Sequence, residues 1–227
     1  MSRAEREQRV MSQAGGRPNP LPDRPWIMYQ EWHNVLFCSW PIAVEELRPL
    51  VPPELELDTF EGTAWFSLLP MVMERLHLRF LPPVPGTSNF NEINLRTYVR
   101  YQDEPGVYFF KIFAESRLGA LMARLAFHLP YEYTEIDLVK GKGTLAMHTV
   151  DGTINQMSVR YQPGGTPTEP PAGSREHFLI ERYADFAADK AGAVYRGDIQ
   201  HARWKTQPVE AEFDTLTIPA AAGLKPL

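Results

Sequence analysis

The chain has 227 residues, of which 44% are hydrophobic and 11% aromatic, and this apolar content excludes disorder of the whole chain. Its 23 basic and 28 acidic side chains give a formal charge of -5 without a basic stretch, which argues against a nucleic-acid-binding protein. The 21 prolines favour short elements joined by stiff turns, as in β-rich folds.

The cysteine and histidine content and the distribution of apolar residues also limit which metal sites and cellular compartments can be expected. Cys38 is the single cysteine, which excludes an intramolecular disulfide and a multi-cysteine metal site. The six histidines are scattered without ligand spacing, so neither a metal nor another cofactor is predicted. The sequence has no apolar run of membrane-spanning length, and its N-terminus lacks the apolar stretch of a signal peptide. We therefore expect a cytoplasmic protein that does not bind membranes.

Composition changes along the chain predict its domain organisation. Residues 1–24 mix charge, glycine and proline without apolar periodicity, and we expect a flexible N-terminal arm. Apolar residues are dense from Trp26 onward, except in the Pro- and Gly-rich loop Gln162–Ser174. That loop could separate two domains, but too few residues follow it to form an independent core. We therefore predict a single domain over residues 25–227.

Hydrophobic periodicity and helix-breaking residues predict mostly strands. A helix over Pro41–Leu50 should end at the prolines that follow, and a turn over residues 102–106 should join two strands into a hairpin. The other predictions are strands over Thr63–Met73 (broken near Pro70), Asn91–Tyr101, Gly106–Glu115, Thr144–His148, Gln156–Tyr161, Val194–Trp204 and Val209–Phe213, a buried helix over Leu118–Phe127, and a helix over Arg175–Glu181 with Ser174 as its N-cap. The sum is an antiparallel sheet or barrel with a few short helices.

The strand Asn91–Tyr101 carries a polar face. Alternation places one set of side chains on one face and an apolar set on the other. The polar set is Glu92, Asn94, Arg96, Tyr98 and Arg100. Either this face meets water, or the sheet curls and the face lines a cavity. Lys111 on the partner strand could be a nucleophilic amine, but a lysine extending to solvent at a sheet edge is the commoner case.

Four segments resemble the acetoacetate decarboxylase-like superfamily and, more closely, its YqjF-like or DUF2071 branch. They are Leu47–Pro70, Pro85–Val99 with the following GVYFF, ARLAFHLPY (Ala123–Tyr131), and Glu181–Trp204. The resemblance implies a β-rich α+β fold with an antiparallel barrel or sheet around a central cavity. It also implies that Glu92 faces that cavity, because a glutamate on the matching strand does so in the decarboxylases.

The same resemblance bears on the reaction. The decarboxylases carry an Arg-Glu-x-x-Gly-x-Pro-Lys segment whose lysine forms a Schiff base with a β-keto acid. Arg124 and Pro130 match that segment, but His128 replaces its glycine and Tyr131 replaces its lysine. A Schiff-base decarboxylase is therefore not expected.

The remaining groups suggest a site for a small carboxylate. Glu92, Tyr131 and His128 are the candidate catalytic residues, as acid, base or hydrogen-bond donors. The candidate ligand-binding residues are Arg96, Arg124, Asn94 and Tyr98. We predict a protein that binds, or acts by Glu-based acid–base chemistry on, a small oxo- or hydroxy-carboxylate without a Schiff base. The alternative is a non-catalytic ligand sensor or partner-binding module. Homo-oligomers are possible.

Several of these residues have a second interpretation. Arg124 could form a structural ion pair with Glu92, and His128 could be a structural histidine. His201 and Trp204 could cover the cavity mouth, although strand packing is the simpler interpretation.

Overall fold

The structure is a computed structural model that describes residues 1–141, 144–149, 155–189 and 191–225. Its helices are α1 (Arg3–Ser12), α2 (Val44–Leu47), α3 (Arg117–Phe127) and α4 (Arg175–Ile180), with 3-10 turns at Ala14–Gly16, Arg48–Leu50 and Ile218–Ala222. Its strands are β1 (Met28–His33), β2 (Cys38–Ile42), β3 (Glu56–Leu57), β4 (Ala64–Leu78), β5 (Phe90–Tyr101), β6 (Glu104–Ala114), β7 (Tyr131–Tyr133), β8 (Ile136–Lys140), β9 (Leu145–Thr149), β10 (Met157–Pro163), β11 (Ala184–Ala188), β12 (Val194–Asp198) and β13 (Val209–Leu216).

Two sheets organise the described residues. The larger sheet has the order β1-β4-β5-β6-β11-β12, and β2, β3 and β7 extend it beside β4, β5 and β6. Its pairings are antiparallel except where β6 meets β7 and β11. The smaller sheet has the order β13-β10-β9-β8. The predicted β-rich fold with few short helices is therefore confirmed.

Strand β5 is central and buried on both faces. Ile93 and Leu95 pack with Phe66 and Leu68 against the smaller sheet and the C-terminal 3-10 turn. The opposite face of β5 carries the polar side chains and adjoins a second apolar cluster formed by β4, β6 and α4. Because water is excluded from both faces, the polar residues of β5 need partners within the protein or from a ligand.

The β5–β6 hairpin is confirmed with a shorter turn than the sequence predicted. Gln102 and Asp103 both have positive φ, at 50° and 63°, which is the conformation of a two-residue type I′ turn. Pro105 and Gly106, expected in the turn, belong to β6 instead. A Cβ at Gly106 would lie 2.5 Å from the Phe186 ring, so glycine permits the close approach of β11.

Pro70 does not break β4, contrary to the prediction. Pro70 pairs with Ile93 of β5 on one side of the strand. On the other side, β2 pairs with β4 only up to Leu68, and β1 begins to pair at Val72. Pro70 falls in the gap between these two partners, so its missing N–H removes no ladder hydrogen bond there.

Two other predicted elements differ in extent. Pro41 belongs to β2, and the helix before Pro52 is limited to α2 and the following 3-10 turn. The predicted strand Val194–Trp204 ends at Asp198, and residues 199–204 form an irregular segment. By contrast, α4 begins as predicted, because the Ser174 side chain accepts a hydrogen bond from the His177 N–H.

The first 24 residues contain a helix that composition did not predict. Ser2 and Glu5 form a capping box at the start of α1. Glu7 on α1 contacts His77 on β4 at 3.0 Å, and Arg3 donates to the Leu81 carbonyl at 2.8 Å. These contacts hold α1 against one end of β4. The domain boundary at residue 25 stays a prediction.

Helix α3 forms as predicted but is not a buried helix. Ala120 is its one buried residue, whereas Leu125 is 74% exposed. The Leu, Ala and Met content that suggested burial reflects helix propensity here, since these residues also favour exposed helices.

We expect Leu125→Ala to change the free energy of unfolding by less than about 0.5 kcal/mol, because the side chain is mostly solvated. Leu47→Ala is the matched control, since Leu47 is 0% exposed and its truncation should cost about 2–5 kcal/mol. Urea unfolding of both variants tests this. A loss of more than about 1 kcal/mol in Leu125→Ala would show that α3 is covered in solution.

Candidate functional site

A row of polar side chains lies buried on one face of β5. Glu92 is 1% exposed, Asn94 1%, Arg96 4% and Tyr98 0%. Their alternation with apolar residues places all four on the same face of the strand. The interpretation of this face as plain solvent-exposed surface is therefore wrong. Successive members are spaced by roughly 7 Å along the strand, so the row presents four chemically different groups in sequence.

Glu92 forms a buried acid pair with Tyr131. The Tyr131 hydroxyl, from β7, donates to Glu92 Oε2 at 3.2 Å. Burial raises the pKa of Glu92 to about 7, although the hydrogen bonds from Tyr131 and Asn94 act in the opposite direction. Burial and the neighbouring Glu92 carboxylate raise the pKa of Tyr131 well above its ordinary value. The pair therefore combines a carboxyl group that titrates near neutrality with a phenol that keeps its proton.

Arg96 is a buried guanidinium that lacks an acidic partner. Its Nη2 donates to the Leu179 carbonyl at 3.0 Å, and the group lies 5.8 Å from the centre of the Phe37 ring. Its buried Nε has no hydrogen-bond partner, and Arg96 forms no ion pair with a carboxylate within the described part of the chain. Because an uncompensated buried charge is costly, this arrangement favours binding of an anion.

A second arginine on this face is fully paired. Arg182, which follows α4, contacts Asp58 Oδ2 through Nη1 at 2.5 Å and donates through Nε to the Phe178 carbonyl at 2.7 Å. Burial lowers the pKa of Arg182, and the Asp58 charge acts against that shift. The positive charge of Arg182 is thus balanced by Asp58, while that of Arg96 is not.

Tyr98 is held by hydroxyl contacts on neighbouring strands. Its hydroxyl lies 2.6 Å from Ser67 Oγ, which in turn lies 2.7 Å from Ser39 Oγ. This chain of hydroxyl groups fixes the Tyr98 ring beneath Arg96, 5.6 Å from the guanidinium carbon. Tyr98 therefore supports the arginine instead of offering an unpaired hydroxyl.

The segment 199–204 packs over the polar row. The Trp204 ring lies 5.4 Å from that of Phe37 and 6.0 Å from that of Trp32. His201 stacks on Tyr183 with ring centres 4.3 Å apart, and its Nε2 lies 3.1 Å from the Arg182 carbonyl. Residues 199–204 do not continue the predicted strand, and Trp204 packs against the apolar cluster that contains Tyr98.

The N-terminal arm contacts this covering segment. Gln200 donates through Nε2 to the Val10 carbonyl at 3.0 Å, and Arg17 donates to the Ile199 carbonyl. The Arg17 guanidinium also lies over the Tyr183 ring, 5.2 Å from its centre. The arm and the covering segment are therefore connected parts of the same side of the molecule.

Two of the candidate residues lie away from the polar row. Arg124 is exposed on α3 and makes no ion pair with Glu92. His128 ends α3 with a φ of 56° and is exposed, with its ring stacked 4.0 Å from that of Tyr195. Lys111 pairs with Glu132 at 2.6 Å and stands opposite Leu95, whose side chain belongs to the other face of β5. The structure thus brings together Glu92, Asn94, Arg96, Tyr98 and Tyr131.

Comparisons with known proteins identify the family of this chain. The model of the DUF2071 family, described as an uncharacterized conserved protein, matches residues 29–227. The chain belongs to the DUF2071 family. Uncharacterized protein YqjF from Bacillus subtilis (strain 168) is 41% identical to this DUF2071 protein over 208 residues, covering 90% of this chain and 85% of YqjF.

Solved structures share the fold of this DUF2071 protein at low sequence identity. Acetoacetate decarboxylase from Legionella pneumophila is 16% identical with a TM-score of 0.55, and the match covers 93% of this chain and 86% of that one. The enduracididine biosynthesis enzyme MppR, complexed with pyruvate, is 14% identical with a TM-score of 0.57 over 92% of this chain and 85% of MppR. The acetoacetate decarboxylase-like fold predicted from the sequence is confirmed. An open central cavity stays a prediction.

The residues that the structure describes contain no cluster of three or more His, Cys, Asp or Glu side chains arranged to hold a metal ion. No helix in the described ranges is long and apolar enough to cross a bilayer.

Three site residues were missed or misjudged from the sequence. Asp58 contacts Arg182 across 124 positions, so no local pattern could indicate the pair. Arg182 directly follows α4, a position at which a basic side chain commonly only caps the end of the helix. Asp185 on β11 is also buried, and burial raises its pKa to about 6. Its charge also raises the pKa of Tyr131, which places it near the acid pair.

Proposed function

We propose that this DUF2071 protein binds a small carboxylate on the polar face of β5. Glu92 then exchanges a proton with the bound acid, and Tyr131 assists by donating a hydrogen bond. The observation that carries the proposal is the buried Arg96 guanidinium without an acidic partner among the described residues. Arg96 is therefore the buried arginine of this face without a paired carboxylate in the described part of the chain, whereas Arg182 pairs with Asp58. A monovalent carboxylate would balance the charge of Arg96 through a charge-assisted hydrogen bond.

The acid pair supports proton transfer at a carbon or oxygen of the bound acid. A carboxyl group with a pKa of about 7 exists in both protonation states at neutral pH, so Glu92 can accept a proton and return it. The Tyr131 phenol, which keeps its proton, can donate a hydrogen bond to a developing oxyanion. Enolisation, hydration or dehydration of an oxo- or hydroxy-carboxylate suits these groups.

Schiff-base chemistry is not proposed. The resemblance to the decarboxylases implies that Tyr131 replaces their lysine, and a phenol cannot form an imine. Lys111 is paired with Glu132 and stands opposite a residue of the other face. MppR has been solved with pyruvate bound, which makes pyruvate a reasonable first probe for the site.

We expect Arg96→Gln to weaken binding of pyruvate or lactate by at least about 30-fold, since a charge-assisted hydrogen bond to a buried carboxylate contributes roughly 2 kcal/mol. Arg124→Gln is the matched control, because it removes the same charge from an exposed arginine and should leave binding unchanged. Isothermal titration of the full-length protein measures both. Equal binding by the wild type and Arg96→Gln would refute the carboxylate site.

Deuterium exchange of the pyruvate methyl group in D₂O tests the acid–base role. The wild type should accelerate exchange near pH 7, and Glu92→Gln should lose about 10²–10⁴-fold of that acceleration while still binding pyruvate. Binding without exchange of any tested carboxylate would favour the alternative, a ligand sensor or partner-binding module. Size-exclusion chromatography with light scattering tests the possible homo-oligomer.

A further inference from the structure

Asn94 holds a buried hydrogen-bond acceptor in the middle of the polar row of β5. Its side chain is 1% exposed and is hydrogen-bonded to Glu92. Its carbonyl oxygen Oδ1 is buried and has no hydrogen-bond partner within the described residues. The contact with Glu92 is therefore made by the amide nitrogen, which is the Asn94 group able to donate to an ionised carboxylate. Oδ1 is therefore the Asn94 atom that remains available to accept a hydrogen bond from a ligand.

The neighbouring unpaired groups are donors. Arg96 Nε is buried without an acceptor, and so is Nε1 of Trp65, which packs in the same apolar cluster as Tyr98. Along β5 the order is therefore an acid at Glu92, an acceptor at Asn94 and a donor at Arg96. The Cα atoms of Asn94 and Arg96 are roughly 7 Å apart, a span that two hydrogen bonds of about 3 Å and a short ligand can bridge.

We infer that Asn94 selects a hydroxycarboxylate over the corresponding oxocarboxylate, with the ligand hydroxyl at carbon 2 or 3 donating to Oδ1 while its carboxylate binds Arg96. This inference rests on the proposed carboxylate site and narrows its ligand class. A hydroxyl group supplies the donor that Oδ1 requires. An oxo group offers a second acceptor at the same position, so the two oxygens repel and Oδ1 stays unsatisfied.

The test compares acids that differ by this one group. The pairs are pyruvate with D- and L-lactate, and acetoacetate with (R)- and (S)-3-hydroxybutyrate, titrated calorimetrically at pH 8.5, where Glu92 is ionised because its pKa is about 7. We expect one hydroxy acid to bind at least about 10-fold more tightly than its oxo partner, in line with the penalty for an unsatisfied buried acceptor. Binding of the oxo acids equally or more tightly would overturn the inference.

Asn94→Leu isolates the role of the amide. Leucine is similar in volume and offers neither donor nor acceptor, so the variant should lose the preference for the hydroxy acid and bind each pair within about 2-fold. Retention of the full preference in the folded variant would contradict the assignment. If Asn94→Leu does not fold, the comparison of the paired acids on the wild type decides alone.

The outcomes separate this inference from the proposed function. Equal binding of hydroxy and oxo acids that still depends on Arg96 refutes the selection by Asn94 and leaves the carboxylate site intact. Absence of binding by all of these acids refutes the carboxylate site, and the inference with it.

Discussion

The wild-type protein should lose stability as the pH rises from 5 to 8, and Glu92→Gln should remove much of that loss. The pKa of Glu92 is about 7 in the fold, against 4.5 for an exposed glutamate. Between these values the folded state binds more protons than the unfolded state, so the free energy of unfolding falls as the pH rises. The contribution of Glu92 between pH 5 and pH 8 is about 2–3 kcal/mol.

Replacement by glutamine removes the ionisation while keeping the shape of the side chain. Glu92→Gln should therefore be more stable than the wild type at pH 8, because no charge has to be buried there. Such a gain on replacing a buried polar residue is typical of a functional site that is maintained at the expense of stability. A structural glutamate would give the opposite result, with the variant less stable at every pH.

Urea unfolding of the wild type and Glu92→Gln at pH 5 and pH 8 gives the four unfolding free energies that this comparison needs. Asp185 contributes in the same direction, because burial raises its pKa to about 6 from 3.8. The pH dependence of the unfolding free energy that remains in Glu92→Gln should therefore decrease again in Glu92→Gln/Asp185→Asn. If the pH dependence of stability is the same in the wild type and Glu92→Gln, Glu92 does not titrate near neutrality.

The sequence predicted the central strand well because its pattern is local. Period-2 alternation placed a strand over Asn91–Tyr101, and β5 spans Phe90–Tyr101 with both residue sets on the expected faces. The alternation could not distinguish a buried polar face from a solvated one. That distinction depends on α4 and the segment 199–204, which pack over this face from far along the chain.

The placement of Arg124 and His128 could not be predicted from a motif. Both were placed at the site through the decarboxylase segment, yet α3 turns them outward, and of that segment Tyr131 reaches Glu92. Whether a helix such as α3 presents its apolar side chains to the core depends on the elements that pack against it, which its own sequence does not specify. Tyr131 reaches the site because β7 pairs with β6 beside it.

Asp58→Asn should destabilise the protein by about 3–5 kcal/mol, whereas Arg96→Met should be close to neutral or stabilising. Removal of the Asp58 charge leaves the buried Arg182 guanidinium, whose side chain is 5% exposed, without its counter-ion. Arg96 has no such counter-ion to lose among the described residues, and methionine fills much of its volume against the Phe37 and Tyr98 rings. The two arginines thus lie on one face but should respond in opposite directions.

Urea unfolding of the two variants at pH 7, without added carboxylate, measures the difference. A loss of several kcal/mol in both variants would mean that Arg96 is also a structural ion, and that its charge is balanced without a ligand. If Arg96 instead binds the ligand, addition of the tightest-binding carboxylate should stabilise the wild type and Asp58→Asn but not Arg96→Met, because a ligand stabilises only a fold that binds it. Stability measured with and without the ligand therefore distinguishes an arginine that supports the fold from one that holds the substrate.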